Sequence, residues 1–288
     1  MHSGWRLVTD LGLGVLRARG ADAGSFLQGQ LSNDTTLLRA GQLQLSGYHT
    51  PQGRTIALLR LTPLAVDDLL AILPLELISM VVARLSRYVL RAKVRITDDS
   101  AAWQLLGYQG AAPQLPGTAL SLPYGGARHL VLVPRPEIAA LEHAATGTRD
   151  DWVARDIAEG LPQVYLATSE AFVAQMLNLD ILGGIALEKG CYTGQEIIAR
   201  AHYRGQVKRR MLRFASEAPC ELKPGQSAVL SDGRAFKVVQ VAATAAGHCE
   251  FLAVTNPVAG ADTVAAETPP PVAARQLPLP YEWPAQRP

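Results

Sequence analysis

The chain has 288 residues, 48% hydrophobic and 18% charged, with 27 Lys and Arg against 25 Asp and Glu. That balance excludes an intrinsically disordered chain and a dedicated nucleic-acid coat, and the length suits two or three domains. Three cysteines, Cys191, Cys220 and Cys249, form no CxxC pair; an odd count argues against a disulfide framework and for a reducing, cytoplasmic setting. The start MHSGWRLVTD lacks the basic and apolar regions of a secretory signal. The most apolar stretch, 61–82, is interrupted by Asp67, Asp68, Pro74 and Glu76, so neither export nor a membrane partner is expected.

Residues 1–20 alternate apolar and polar side chains around Gly12, Gly14 and Gly20, which predicts two short strands and a turn. Asp22 reads as a helix cap, and Phe26, Leu27 and Leu31 recur at helical spacing behind it. The segment LQLSGYHTPQGRTIALLRL predicts a hairpin reversing at Thr50, Pro51, Gln52 and Gly53. A strand at 68–73, a helix at 75–88 carrying Leu77, Met80, Val81, Leu85 and Tyr88 on one face, and the strand KVRI complete a first lobe over 1–100. Its connections are too short for helical crossovers, so the fold class is α+β with a mainly antiparallel sheet.

A second α+β lobe is expected over 101–204, with strands at 103–108 and 129–133 and helices at 136–145 and 150–159, the last stopped by Gly160 and Pro162. Beyond Gly205 the segments RRMLRF, QSAVL, FKVVQV and CEFLAV alternate with turn residues and read as a small β-barrel or sandwich over 205–262. The stretch 263–288 is a Pro- and Ala-rich tail whose LPLPYEWP is placed to dock back onto the body.

The window GGIALEKGCYTGQEIIARAHYRG carries the most chemistry. Thr193 followed by Glu196 matches a capping box, so a helix begins near Gly194. Cys191 then lies just before a helix N-terminus, where peptide dipoles and the nearby Lys189 favour thiolate over thiol. The bland alternative is a cysteine acting as a small buried apolar residue, and spacing alone does not choose. His49 and Arg54 flank the hairpin turn. Residues 197–216 hold Arg200, Arg204, Lys208, Arg209, Arg210 and Arg213 without an acidic residue, the chain's one notable basic run. Cys220 and Cys249 look like barrel residues, and no zinc-ligand spacing is present.

KGCYTGQE, together with FLQGQLSND, YHTPQGRT, LNLDILGGIALEKGCYTGQEIIARAHYRGQVKRR and LPLPY, resembles the YgfZ family over nearly the whole chain. That family is similar to the T-protein of glycine cleavage. The resemblance implies a three-lobed cloverleaf around a folate-binding hole with a C-terminal β-barrel, and tetrahydrofolate or a one-carbon derivative as ligand. It implies folate-linked assistance to the assembly or repair of iron–sulfur clusters, with client enzymes as transient partners. Those clients include a radical enzyme that thiomethylates tRNA, and contact with tRNA itself is indirect or weak.

Carried over residue by residue, Cys191 and Lys189 are the reactive pair, within a motif completed by Gly190, Thr193 and Gly194. Trp152, Tyr192, Gln195, Glu196, Gln28, Asn33, His49, Arg54, Arg200 and Arg204 are folate-site candidates; the basic run suits the glutamate tail of folate or an RNA phosphate. Three positions depart from the pattern. Leu13 stands where a second folate tryptophan is expected. Ala57 and Leu58 occupy the hairpin position of the T-protein catalytic aspartate, so ordinary aminomethyl transfer is not expected. Ala158 takes the place of a pterin-binding glutamate, with Glu159 turned about 100° away on a helix. The rival reading is a non-catalytic scaffold that touches tRNA or a client enzyme through residues 200–213.

Overall fold

The structure is a computed structural model that describes residues 7–110, 114–140, 146–203, 207–219, 221–243, 247–258 and 271–282. The chain separates into two compact units. One is Met1–His49, Ala57–Trp152 and Gly184–Thr193; the other is Thr50–Ile56, Val153–Gly183 and Gly194–Pro288.

The first unit contains β1 (Leu7–Val8), β2 (Leu13–Arg19), α1 (Ala23–Gln30), β3 (Gln44–His49), nearly all of β4 (Thr55–Ala65), β5 (Asp68–Pro74), α2 (Leu75–Ser86), β6 (Arg95–Asp98), β7 (Trp103–Gln109), β8 (Leu120–Gly125) and β9 (Arg128–Pro134). Strands β3-β4-β5-β2-β6 form one sheet and β1-β7-β9-β8 another. Strand β5 (DLLAILP) is buried at every residue, as expected of a central strand covered on both faces. Helix α2 supplies one cover, burying Leu77, Ile78, Val81 and Leu85. The second sheet supplies the other, through a core in which Leu70 and Ile72 meet Leu122, Leu130, Leu132 and Trp152.

Two local expectations change. Asp22 occupies the N-cap position of α1 without a side-chain cap bond; its carboxylate accepts from the Lys93 backbone amide at 2.6 Å and so ties the helix start to a distant loop. The helix expected at 136–145 is a 3₁₀ turn over Arg135–Ala140, and 141–145 lie outside the described residues. Strand β8 escapes an apolar count because LSLPYG mixes proline and glycine into its pattern.

Most of α3 (Arg149–Ala158) lies in the second unit, with α4 (Gln195–Tyr203), β10 (Arg210–Ser216), β11 (Ser227–Val229), β12 (Ala235–Ala243), β13 (Cys249–Thr255) and β14 (Ala274–Leu277). The strand order is β11-β12-β13-β10-β14. This sheet is open where the sequence suggests a closed barrel. Its edge strands β11 and β14 share no ladder, and among the described residues a parallel bridge of Leu230 with Val272 links the chain beside them. Phe214, Phe236 and Phe251 stack in its core.

The chain after β14 packs within the same unit. The Tyr281 hydroxyl donates to Gly160 O at 2.8 Å and accepts from Asn178 Nδ2 at 3.3 Å. Gly160 has φ +65°, and a Cβ there would stand 2.7 Å from the Tyr281 ring, so both backbone angle and close approach require glycine. Among the described residues no helix is long and apolar enough to cross a membrane.

Candidate functional site

The cysteine-bearing segment is built onto the end of α1 within the first unit. Ser32 Oγ donates to Gly184 O at 2.6 Å and accepts from Gly47 N at 2.8 Å, while Ala186 N donates to Ser32 O at 2.9 Å. Lys189 completes the attachment. Its ammonium donates to Gln28 O at 2.7 Å, Leu31 O at 2.8 Å and Asn33 O at 2.7 Å, and lies 5.1 Å from the centre of the Tyr192 ring. Burial draws its pKa down to about 8, opposed by the Asp34 carboxylate, so the group still carries three donors at neutral pH. A tripod of carbonyls suits an anchor better than a proton-transfer group.

On either side of the anchor the chain alternates in exposure. Gly190 and Cys191 are exposed, and Tyr192 turns inward. The Tyr192 hydroxyl is buried with no hydrogen-bond partner, and burial pushes its pKa up to about 12.

The neighbouring loop spends its own polar groups. Gln28 Oε1 accepts from Thr35 N and Oγ1, its Nε2 donates to Asp34 Oδ1, and Asn33 Nδ2 donates to Leu45 O at 2.7 Å. These side chains shape the loop whose carbonyls hold Lys189. His49, at the end of β3, is 1% exposed, folded against Gly47 so closely that a Cβ there would collide with its ring, and neither ring nitrogen has a partner. Burial alone lowers its pKa to about 3.

The folded-state pKa of His49 lies below the unfolded value near 6.5, so the unfolded chain binds the extra proton and stability falls as pH drops from about 6.5 toward 3. The expected cost is about 2 kcal/mol at pH 5 relative to pH 7. Urea unfolding at the two pH values should show that component in the native chain and lose it in His49→Phe, which sacrifices no protein hydrogen bond. An unchanged pH dependence in the variant would refute the assignment.

Gly194, the candidates on α4, Arg54 and the basic run lie in the second unit. Gly194, at φ +84°, accepts the first helical bond of α4 from Ile198 N at 3.2 Å. The cap therefore falls at Gly194, one residue later than the Thr193–Glu196 box predicts, because glycine alone takes that angle without strain. Gln195 is half-buried, and Glu196 and Arg200 are exposed. Arg54 Nη1 donates to Ala171 O at 3.0 Å, and Arg54 bridges Val173. Arg204 and Cys220 lie outside the described residues. The basic run is partly neutralised: Arg210 forms a bidentate pair with Asp180, both contacts at 2.8 Å, and Arg213 pairs with Glu250 at 2.8 Å. Cys249 is buried in the sheet, and no group of three or more metal-binding side chains occurs among the described residues.

Trp152 belongs to a different neighbourhood, the core between the two sheets of the first unit, where it is 2% exposed. The Arg128 guanidinium lies 4.6 Å over its ring, Tyr124 tilts against it at 4.8 Å, and a Cβ on Gly107 would strike it. Arg60 lies 4.6 Å over the Tyr124 ring. No motif marks Arg60, Tyr124 or Arg128 in the sequence. The available signal was a lone arginine inside the apolar strand TIALLRL.

No protein-family model matches the chain. It is 32% identical over 229 residues to the tRNA-modifying protein YgfZ of Edwardsiella ictaluri, an alignment covering 70% of this chain and 69% of that protein. The chain belongs to the YgfZ family. The YgfZ protein of Photorhabdus laumondii is 31% identical over 233 residues, covering 71% of this chain and 69% of its own. An uncharacterised Haemophilus influenzae protein is 31% identical over 212 residues, covering 73% and 74%.

Among solved structures, the glycine cleavage aminomethyltransferase T of Bartonella henselae superposes with a TM-score of 0.68 at 16% identity, over 87% of this chain and 78% of that one. The chain therefore has the T-protein fold. In it, Ala57 and Leu58 are wholly buried, Leu13 is a half-buried strand residue beside the inter-sheet core, and Ala158 ends α3.

Proposed function

We propose that this YgfZ-family chain is a folate-binding accessory protein that supports iron–sulfur enzymes, among them one that thiomethylates tRNA, with Cys191 as its working thiol. The observation that carries this reading is an exposed cysteine held on a segment whose lysine neighbour is buried in three carbonyls. A loop fixed at that cost in desolvation, yet presenting a thiol to solvent, is organised for contact with a partner. The names of the relatives support the link to tRNA modification.

Tetrahydrofolate fits the residues present in one respect. A pterin offers several donors and acceptors, and the first unit holds buried polar atoms without protein partners, the Tyr192 hydroxyl and both His49 nitrogens. When bound, the folate supplies a one-carbon carrier or a redox-active pterin; Tyr192 and His49 would hold it by hydrogen bonds, and Lys189 keeps the Cys191 segment in place. An aminomethyltransferase is not proposed, since the buried Ala57 and Leu58 offer no carboxylate.

Isothermal titration with tetrahydrofolate is expected to show saturable binding, weakened roughly three- to tenfold in Tyr192→Phe, which removes one hydrogen bond. Absence of saturable heat with the native chain would remove the ligand assignment and leave the scaffold reading, in which residues 200–213 contact a client.

A further inference from the structure

The geometry points to a second recognition element in the first unit: Arg60, set against Tyr124 at the margin of the inter-sheet core, anchors a carboxylate of the ligand's glutamate tail. Arg60 is 6% exposed, its Nη1 is buried with no hydrogen-bond partner, and among the described residues no carboxylate pairs with it. Arginine cannot shed its proton to escape that environment, so a buried guanidinium without a counter-ion is destabilising unless an anion arrives. The protein tolerates a charge here that a leucine would replace with a gain in stability.

The surroundings aim that charge at a ligand. Arg60 pairs across the sheet with Ile72, and directly paired residues share a face, so it points toward the same inter-sheet side on which Ile72 packs. Tyr124 stands on β8, an edge strand, at a register shift between Pro123 and Gly125. A bulge of this kind re-aims a side chain, and here it lays the tyrosine ring under Arg60 at 4.6 Å and beside Arg128 at 5.0 Å. Tyr124 is partly buried against that core, and Arg60, whose guanidinium lies over its ring, is 6% exposed. That depth suits a flexible small-molecule tail and not the phosphate backbone of an RNA. The basic run at 200–213, by contrast, has Arg210 and Arg213 already paired with carboxylates.

This inference rests on the folate reading, and three ligands separate the two: tetrahydrofolate, tetrahydropteroate, which lacks the glutamate, and p-aminobenzoylglutamate, which lacks the pterin. By isothermal titration the native chain is expected to prefer tetrahydrofolate over tetrahydropteroate by roughly ten- to a hundredfold, the worth of a charge-assisted hydrogen bond. Arg60→Gln should erase that preference while leaving tetrahydropteroate affinity in place, and Arg60→Lys, which keeps the charge without the fork, should retain part of it. Thermal melting of both variants reports whether they fold. Equal affinity of the native chain for the two pterins, or a preference that survives in whichever variant folds, overturns the Arg60 site while folate binding stands. Binding of p-aminobenzoylglutamate that depends on Arg60, without binding of either pterin, sinks the folate reading and keeps the site. No binding of any of the three overturns both.

Discussion

Replacing Lys189 by alanine is expected to lower the unfolding free energy by about 3 kcal/mol, the larger of the stability effects foreseen for this chain. The side chain makes three charge-assisted bonds to carbonyls that lie 156 to 161 residues earlier. Each such bond is worth about 1.5–3 kcal/mol in isolation. The sum overstates the cost, because Glu188 and Gly190 are exposed and water can enter beside them to satisfy part of the orphaned set. Arginine is expected to recover little, since a planar fork cannot address three carbonyls converging on one point. Denaturant unfolding monitored at constant pH measures the effect, and a loss under about 1 kcal/mol would show that the carbonyl tripod is incidental.

Cys191→Ala is expected to separate function from stability. Cys191 is exposed, so its removal should change the unfolding free energy by less than about 0.5 kcal/mol. In cells whose own copy is deleted, the variant should leave thiomethylated tRNA nucleosides near the level of the deletion, a loss of roughly tenfold or more if the thiol takes part in the chemistry itself. Mass spectrometry of digested tRNA reads this directly. Restoration to the native level would end the thiol proposal. Lys189→Ala should lose both properties, and that contrast distinguishes the residue that positions from the residue that acts.

Much of the fold was legible because its strands carry their own pattern. Trp103–Gln109 and Arg128–Pro134 alternate or run apolar, and α2 repeats its buried face at helical spacing. Whether the last sheet closes was not legible, since that depends on pairing between its two edge strands, which no periodicity encodes. The cysteine motif was legible as a string of residues, but the arrangement around it was not. Nothing near Lys189 in sequence announces that its partners are carbonyls at Gln28, Leu31 and Asn33, and His49, beside a turn, reads as solvated although it is 1% exposed. Arg60 was hidden by the strength of its own strand, where six apolar or small neighbours make one charge look like noise. Only the paired sheets reveal that the charge is buried.

The burial of Ala57 and Leu58 decides what a new acid at either position would do. Both side chains are sealed in the strand that follows the hairpin, so an aspartate introduced at either place by a single codon change would leave its carboxylate in a hydrocarbon setting. Such a group would stay protonated and unable to accept a substrate proton. A carboxylate introduced at either position alone therefore supplies no base; the neighbouring packing has to be remodelled with it.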